Sequence, residues 1–163
     1  MNQTIATLPD TLQVAIVASS WHREIVRNAT TAVRAAFERS GWHAERLTLY
    51  EVPGAFEIPL HAQRLARSGR YAAVIACGLV VNGGIYRHEF VAAAVIEALM
   101  RVQLDTDVPV FSAVLTPRDF HDHDTHRRFF EDHFEHKGRE VAEACLATLA
   151  ALAALPTALG APR

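Results

Sequence analysis

"LQVAIVASS" (residues 12–20), followed at once by "WHREIVRNATTAVRAAFERSG" (21–41), decides the fold. The first segment is a short β-branched run bounded by polar residues, the pattern of a strand buried on both faces. In the second, Ile25, Val26, Ala29, Val33, Ala36 and Phe37 recur at helical spacing, and Gly41 offers a stop. The alternation continues outward from this pair. "ERLTLYEV" (45–52) reads as strand, "AFEIPLHAQRLARSG" (55–69) as helix and "YAAVIACGLVV" (71–81) as strand; "YRHEFVAAAVIEALMRVQLD" (86–105) reads as helix and "VPVFSAVLT" (108–116) as a fourth strand. Two helical segments close the chain, the second being "GREVAEACLATLAAL" (138–152) with Val141, Cys145, Leu146, Leu149 and Leu152 on one side. Strands alternating with helices of this length imply right-handed crossovers, hence an α/β fold: a three-layer α/β/α sandwich around a four-stranded parallel sheet. The helix over 86–105 carries a broad apolar face of Phe90, Val91, Ala94, Val95, Ala98, Leu99 and Val102, which must pack on something.

With 163 residues, half of them hydrophobic, the chain suits one domain over 1–163, with 1–11 and 156–163 as flexible ends. A net charge of −2, with both signs scattered, gives no basic stripe for nucleic acid and no polybasic segment for a membrane surface. Cys77 falls in an expected buried strand and Cys145 on the apolar side of a helix, a usage that suggests a reducing compartment. No basic leader with an apolar block stands at the start and no apolar run reaches spanning length, so the expected localisation is cytoplasmic.

In an open parallel sheet, ligands bind outside the carboxyl ends of the strands, beside helix N-termini. The four loops there are "SSWHRE", "VPGAFE", "NGGIYRHE" and "TPRDFHDH", all richer in polar, aromatic and glycine residues than a bare turn requires. Gly83-Gly84 before a helix reads either as a simple turn or as an anion site, where backbone and helix dipole welcome a phosphate. Neither a Walker-type lysine loop nor a spaced-glycine dinucleotide fingerprint is present, and the first strand ends in Ala18-Ser19-Ser20 where a response regulator needs carboxylates. Trp21 is either a hydrophobe at a helix start or a platform for a planar heterocycle. Glu57, in the first helical turn, suits the helix dipole and equally a polar ligand. His121, His123, His126, His133 and His136 crowd one segment; their spacing admits metal, yet the interspersed Asp122, Asp124, Arg127, Arg128, Glu131 and Asp132 suit a wet, mixed-charge helix face.

"VPGAFEIP" (52–59), then "CGLVVNGG" (77–84) and "HKG" (136–138), resemble lumazine synthase, over roughly residues 12–152 and in the same order of elements. The resemblance implies a flavodoxin-like sandwich and an enzyme without metal or organic cofactor. Its reaction would be the condensation of 5-amino-6-(D-ribitylamino)uracil with 3,4-dihydroxy-2-butanone 4-phosphate in riboflavin biosynthesis. It implies that Trp21 stacks on the pyrimidine, that Ala55, Phe56 and Glu57 line the ribityl and pyrimidine pocket, and that Leu79, Val80 and Val81 face the ring through their backbone. Gly84 and Ile85 match the phosphate-binding turn, and Ser112 and Lys137 match positions that reach the site from a neighbouring subunit.

Two departures from the family pattern matter. Arg87 stands where the family has a histidine, and His88 follows one step later. Arginine, with a pKa above about 12, cannot act as general base near neutral pH. The expected catalytic residues are therefore Arg87, holding phosphate or polarising a carbonyl, and His88, with phosphate or water also able to move protons. Adjacent helical residues point about 100° apart, so His88 either faces the site or turns away. Second, the family's phosphate-clamping arginine falls on Phe129; His133 and Arg127 are the candidates to replace it, with His126 and Arg128 in reach. These features resemble the type II subgroup, which implies a pentamer or a decamer of two pentamers. Two other functions stand beside the enzyme: a flavin or lumazine carrier or sensor with weakened catalysis, and a histidine-rich, metal- or pH-responsive assembly.

Overall fold

The computed structural model describes residues 9–85, 87–117 and 124–156, the stretch 124–127 by its backbone alone. Residues 1–8 and 157–163 of the two chain ends, His121 and His123, and the side chains of His126 and Arg127 lie outside the described residues. The elements run β1 (Val14–Ser19), α1 (Arg23–Arg39), β2 (Leu47–Val52), α2 (Ile58–Arg67), β3 (Ala73–Leu79), α3 (His88–Thr106), β4 (Val110–Leu115) and α4 (Asp124–Ala153), with single 3₁₀ turns before β2 and α2. All strand pairs are parallel and the order across the sheet is β2-β1-β3-β4. β1 and β3, at the centre, are buried along their whole length, as their unbroken apolar runs require.

Strand side chains alternate between two cores. Val14, Ile16, Ala18, Ile75 and Cys77 face α1 and α4; Ala15, Val17, Val74 and Ala76 face α2 and α3. On α1 the six apolar residues at helical spacing are all buried. On α3 only Val95, Leu99 and Val102 are buried, so much of its broad apolar face, Phe90 included, stays exposed. Arg46, itself buried, fastens the start of the described chain: Nε donates to Leu12 O and Nη2 to Pro9 O, both at 2.8 Å, while the guanidinium covers the Trp42 ring at 3.6 Å.

The two expected C-terminal helices are one, and the reason is Gly138. Glycine at the head of "GREVAEACL" suggests a helix boundary; instead it sits inside α4, where the helix crosses α1. A Cβ there would come within 2.4 Å of Ala29 O and 2.8 Å of Ala32 Cβ. The residue is glycine because two backbones touch.

Candidate functional site

The order β2-β1-β3-β4 reverses direction between β1 and β3, and the carboxyl ends flanking such a switch point are where an open sheet leaves a crevice. A crevice of about 370 Å³ lies there, lined by Trp21 and His22 after β1, Ala55 and Phe56 before α2, Leu79 to Val81 and Gly83 after β3, and Arg87, His88 and Val91 at the start of α3. Its walls are mostly apolar, with one guanidinium and two imidazoles set among them.

Backbone hydrogen bonds hold the first wall. Ser20 N–H donates to Val52 O at 2.7 Å and Trp21 N–H to Pro53 O at 3.1 Å, tying the β1 turn to the end of β2. His22 then adopts a left-handed conformation, φ 55°, and its carbonyl accepts from both Ile25 and Val26 to start α1. Such a conformation is uncommon outside glycine and concentrates at sites where side chains must be aimed. The indole rests over Gly54, where a Cβ would meet its ring at 3.1 Å, yet 67% of Trp21 remains exposed as an open aromatic surface. Glu57 stabilises the adjoining turn: Oε2 accepts from Gly54 N–H at 2.9 Å, and the residue does not line the crevice.

The opposite wall begins at Gly84, whose φ of +79° suits glycine. Its N–H donates to Asn82 Oδ1 at 2.8 Å, closing a small side-chain turn, so the amide proposed for an anion has an internal partner. α3 starts four residues later. The N–H groups of His88 and Glu89 open that helix without intrahelical acceptors. Ile85 is exposed. Arg87 occupies the N-cap position with Cζ 4.9 Å from the Phe90 ring centroid, an arrangement that steadies the long side chain while leaving the guanidinium accessible. His88 does not turn away: its side chain is only 14% exposed, forms part of the crevice wall, and places Nδ1 3.6 Å from Glu89 Oε2. The Ser19 hydroxyl, at the end of β1, is buried without a hydrogen-bond partner among the described residues.

The structure thus brings together Trp21, Ala55, Phe56, Leu79, Val80, Val81, Arg87 and His88, with the Gly84–Ile85 turn at the rim. It does not bring in Ser112, Lys137 or His133 of the same chain. Ser112 is exposed on the edge strand β4, its Oγ accepting from Val114 N–H at 3.3 Å. Lys137 Nζ donates to Glu140 Oε2 at 2.6 Å, and this contact, with His136 adding to it, holds the Glu140 carboxyl below its ordinary pKa. His133 stacks on Phe129 at 5.6 Å. Among the described residues no three His, Cys, Asp or Glu side chains form a metal cluster, and no helix is long and apolar enough to cross a membrane. His22 and Val91 are crevice residues the sequence did not assign to a site, and Gly83 enters as the first residue of the glycine pair read as a turn or an anion site. The signal for His22 was its place beside Trp21 in the loop after β1; Val91 reads only as one more apolar residue of α3.

Comparison with known proteins shows the family. The family model described as 6,7-dimethyl-8-ribityllumazine synthase matches residues 11–153. The chain is 57% identical over 145 residues to a 6,7-dimethyl-8-ribityllumazine synthase of Rhodococcus erythropolis, covering 89% of this chain and 94% of the relative. It is 57% identical over 140 residues to 6,7-dimethyl-8-ribityllumazine synthase 2 of Bradyrhizobium diazoefficiens, covering 86% and 84%. A third relative, 6,7-dimethyl-8-ribityllumazine synthase 2 of Pseudomonas syringae pv. tomato, is 52% identical over 137 residues, covering 84% and 81%.

Proposed function

The chain belongs to the 6,7-dimethyl-8-ribityllumazine synthase family, and from that premise we propose that the crevice at the β1/β3 switch point is where its reaction takes place. The enzyme condenses 5-amino-6-(D-ribitylamino)uracil with 3,4-dihydroxy-2-butanone 4-phosphate, releasing phosphate and water to give 6,7-dimethyl-8-ribityllumazine in riboflavin biosynthesis. The observation that carries the site is the meeting in one cavity of an open indole, the apolar strand end Leu79–Val81 and a helix start bearing Arg87 and His88.

In this reading Trp21 stacks on the pyrimidine, the Ala55–Glu57 turn borders the ribityl chain, and the backbone of Leu79–Val81 faces the ring edge. The phosphate of the second substrate sits at the Gly84–Ile85 rim, against the free N–H groups at the start of α3. Arg87 stays charged throughout and stabilises negative charge, either on that phosphate or on the carbonyl oxygen as the amine adds to form a Schiff base. His88, half-enclosed beside it, exchanges the protons that Arg87 cannot, together with water and the leaving phosphate.

Completion of the pocket falls to a neighbouring subunit. Ser112 and Lys137 point out of their own chain, and His133, or the His126 and Arg127 positions one to two turns before it, would supply the second phosphate cation. Exposed Phe56 and Leu60 beside α2, and Phe90, Ile96, Met100 and Leu104 on α3, form apolar surface that subunit contacts would cover. We therefore propose a homopentamer, further paired as a decamer, and a cytoplasmic location suited to the two free, buried thiols. Mixing the two substrates with the protein and following lumazine fluorescence above the spontaneous rate tests the activity. Acceleration supports the enzyme; tight lumazine binding without acceleration would turn the reading toward a carrier.

A further inference from the structure

We propose that the chain carries a second oxyanion site, in the groove between α1 and the edge strand β2, on the opposite face of the sheet from α2 and α3. The groove holds about 340 Å³, and its charged lining is Arg23, Arg27 and Arg34 of α1 and Glu51 of β2. Spaced at i, i+4 and i+11, the three arginines fall within about 40° of one line along the helix. Leu49 and Glu51, two residues apart on β2, point to the same side of the sheet and form the facing wall.

Three guanidiniums face one carboxylate, and that carboxylate is taken: Arg23 Nη1 lies 3.5 Å from Glu51 Oε1. Among the described residues, the Arg34 guanidinium makes only a long hydrogen bond, 3.5 Å, to Leu47 O. The Arg27 carbonyl accepts from Thr30 Oγ1, and its guanidinium has no hydrogen-bond or ion-pair partner among the described residues. Two guanidinium forks thus converge from one helix face on a concave surface with an apolar floor that includes Val26 and Leu49. Like charges held over apolar surface repel unless an anion joins them, and planar guanidinium donors match phosphate oxygens two at a time. The fitting ligand is a phosphate monoester of a small molecule, its phosphate between Arg27 and Arg34. This site is separate from the crevice: the turn Ser20–His22 divides them, with Trp21 on one side and Arg23 on the other, and no residue lines both.

Isothermal titration of the assembled protein with inorganic phosphate tests this, using Arg87→Ala, Arg27→Gln/Arg34→Gln and the triple variant, each checked by circular dichroism. The site predicts that Arg87→Ala still binds phosphate and that adding the two glutamines weakens this remaining binding by about ten-fold or more. Arg27→Gln/Arg34→Gln alone should leave lumazine formation unchanged. Equal phosphate affinity and stoichiometry with and without the glutamines would overturn the proposal. So would a change of assembly mass in the double variant without any phosphate effect, which would mark the groove as a contact between copies.

Discussion

In the proposed mechanism Arg87 and His88 divide between them the work that the family pattern gives to a single histidine. The guanidinium sits at a helix N-cap and leans on Phe90; the imidazole is folded into the crevice wall. Arg87→Ala should lower kcat/KM by about 100-fold or more, the size of effect expected when a donor to developing negative charge is lost. His88→Ala should cost less, because phosphate and water still carry protons. Steady-state kinetics of both variants checks this, and undiminished turnover in Arg87→Ala would remove that residue from the mechanism. The resemblance read from the sequence puts Arg87 at the family's histidine position. The sequence left the orientation of His88 open, since a helix start can place adjacent residues toward or away from a cavity. Equally hidden was the partner of Gly84 N–H: nothing in "NGG" tells that Asn82 folds back on it.

At the scale of elements, strand and helix alternation survived translation into structure because each period had an unambiguous partner. Central strands read as unbroken apolar runs, and α1 as a clean stripe. The misreading at Gly138 has a physical cause, for glycine ends helices and also lets them touch, and the two uses look alike in one dimension. Gly138→Ala separates them: helix propensity alone favours alanine by up to about 1 kcal/mol, whereas the clash with Ala29 and Ala32 should destabilise the fold by about 1–3 kcal/mol net. Urea unfolding decides the sign. Burial also marks Cys77 on β3 and Cys145 on α4, pushing both thiols from an ordinary 9.0 up to about 12. An unfolded chain releases those protons near pH 9 while the folded chain keeps them, so stability should fall as pH rises from 9 toward 12. Each thiol contributes a slope of about 1.4 kcal/mol per pH unit. Denaturation across that range should show a shallower decline in Cys77→Ala, even though the substitution lowers stability at neutral pH.

For the whole molecule, the proposed reading has the sheet of one chain gather one half of the active site and a neighbouring copy supply the other. In that reading Ser112 at the β4 edge and Lys137 on α4 act in the crevice of another copy, a relation that no periodicity in a single chain encodes. If the site is shared, Arg87→Ala and Lys137→Ala proteins, each impaired alone, should regain activity when unfolded together and reassembled. Random mixing restores both residues at about a quarter of the sites; no recovery would mean that Lys137 serves its own chain or none. The most direct measurement is crystallographic: crystals of the assembled protein soaked with a ribitylaminouracil analogue. The pyrimidine should lie flat against Trp21, its edge toward Leu79–Val81 and its ribityl chain along Ala55–Glu57. An empty crevice, or the analogue bound at another surface with Trp21 bare, would contradict that placement.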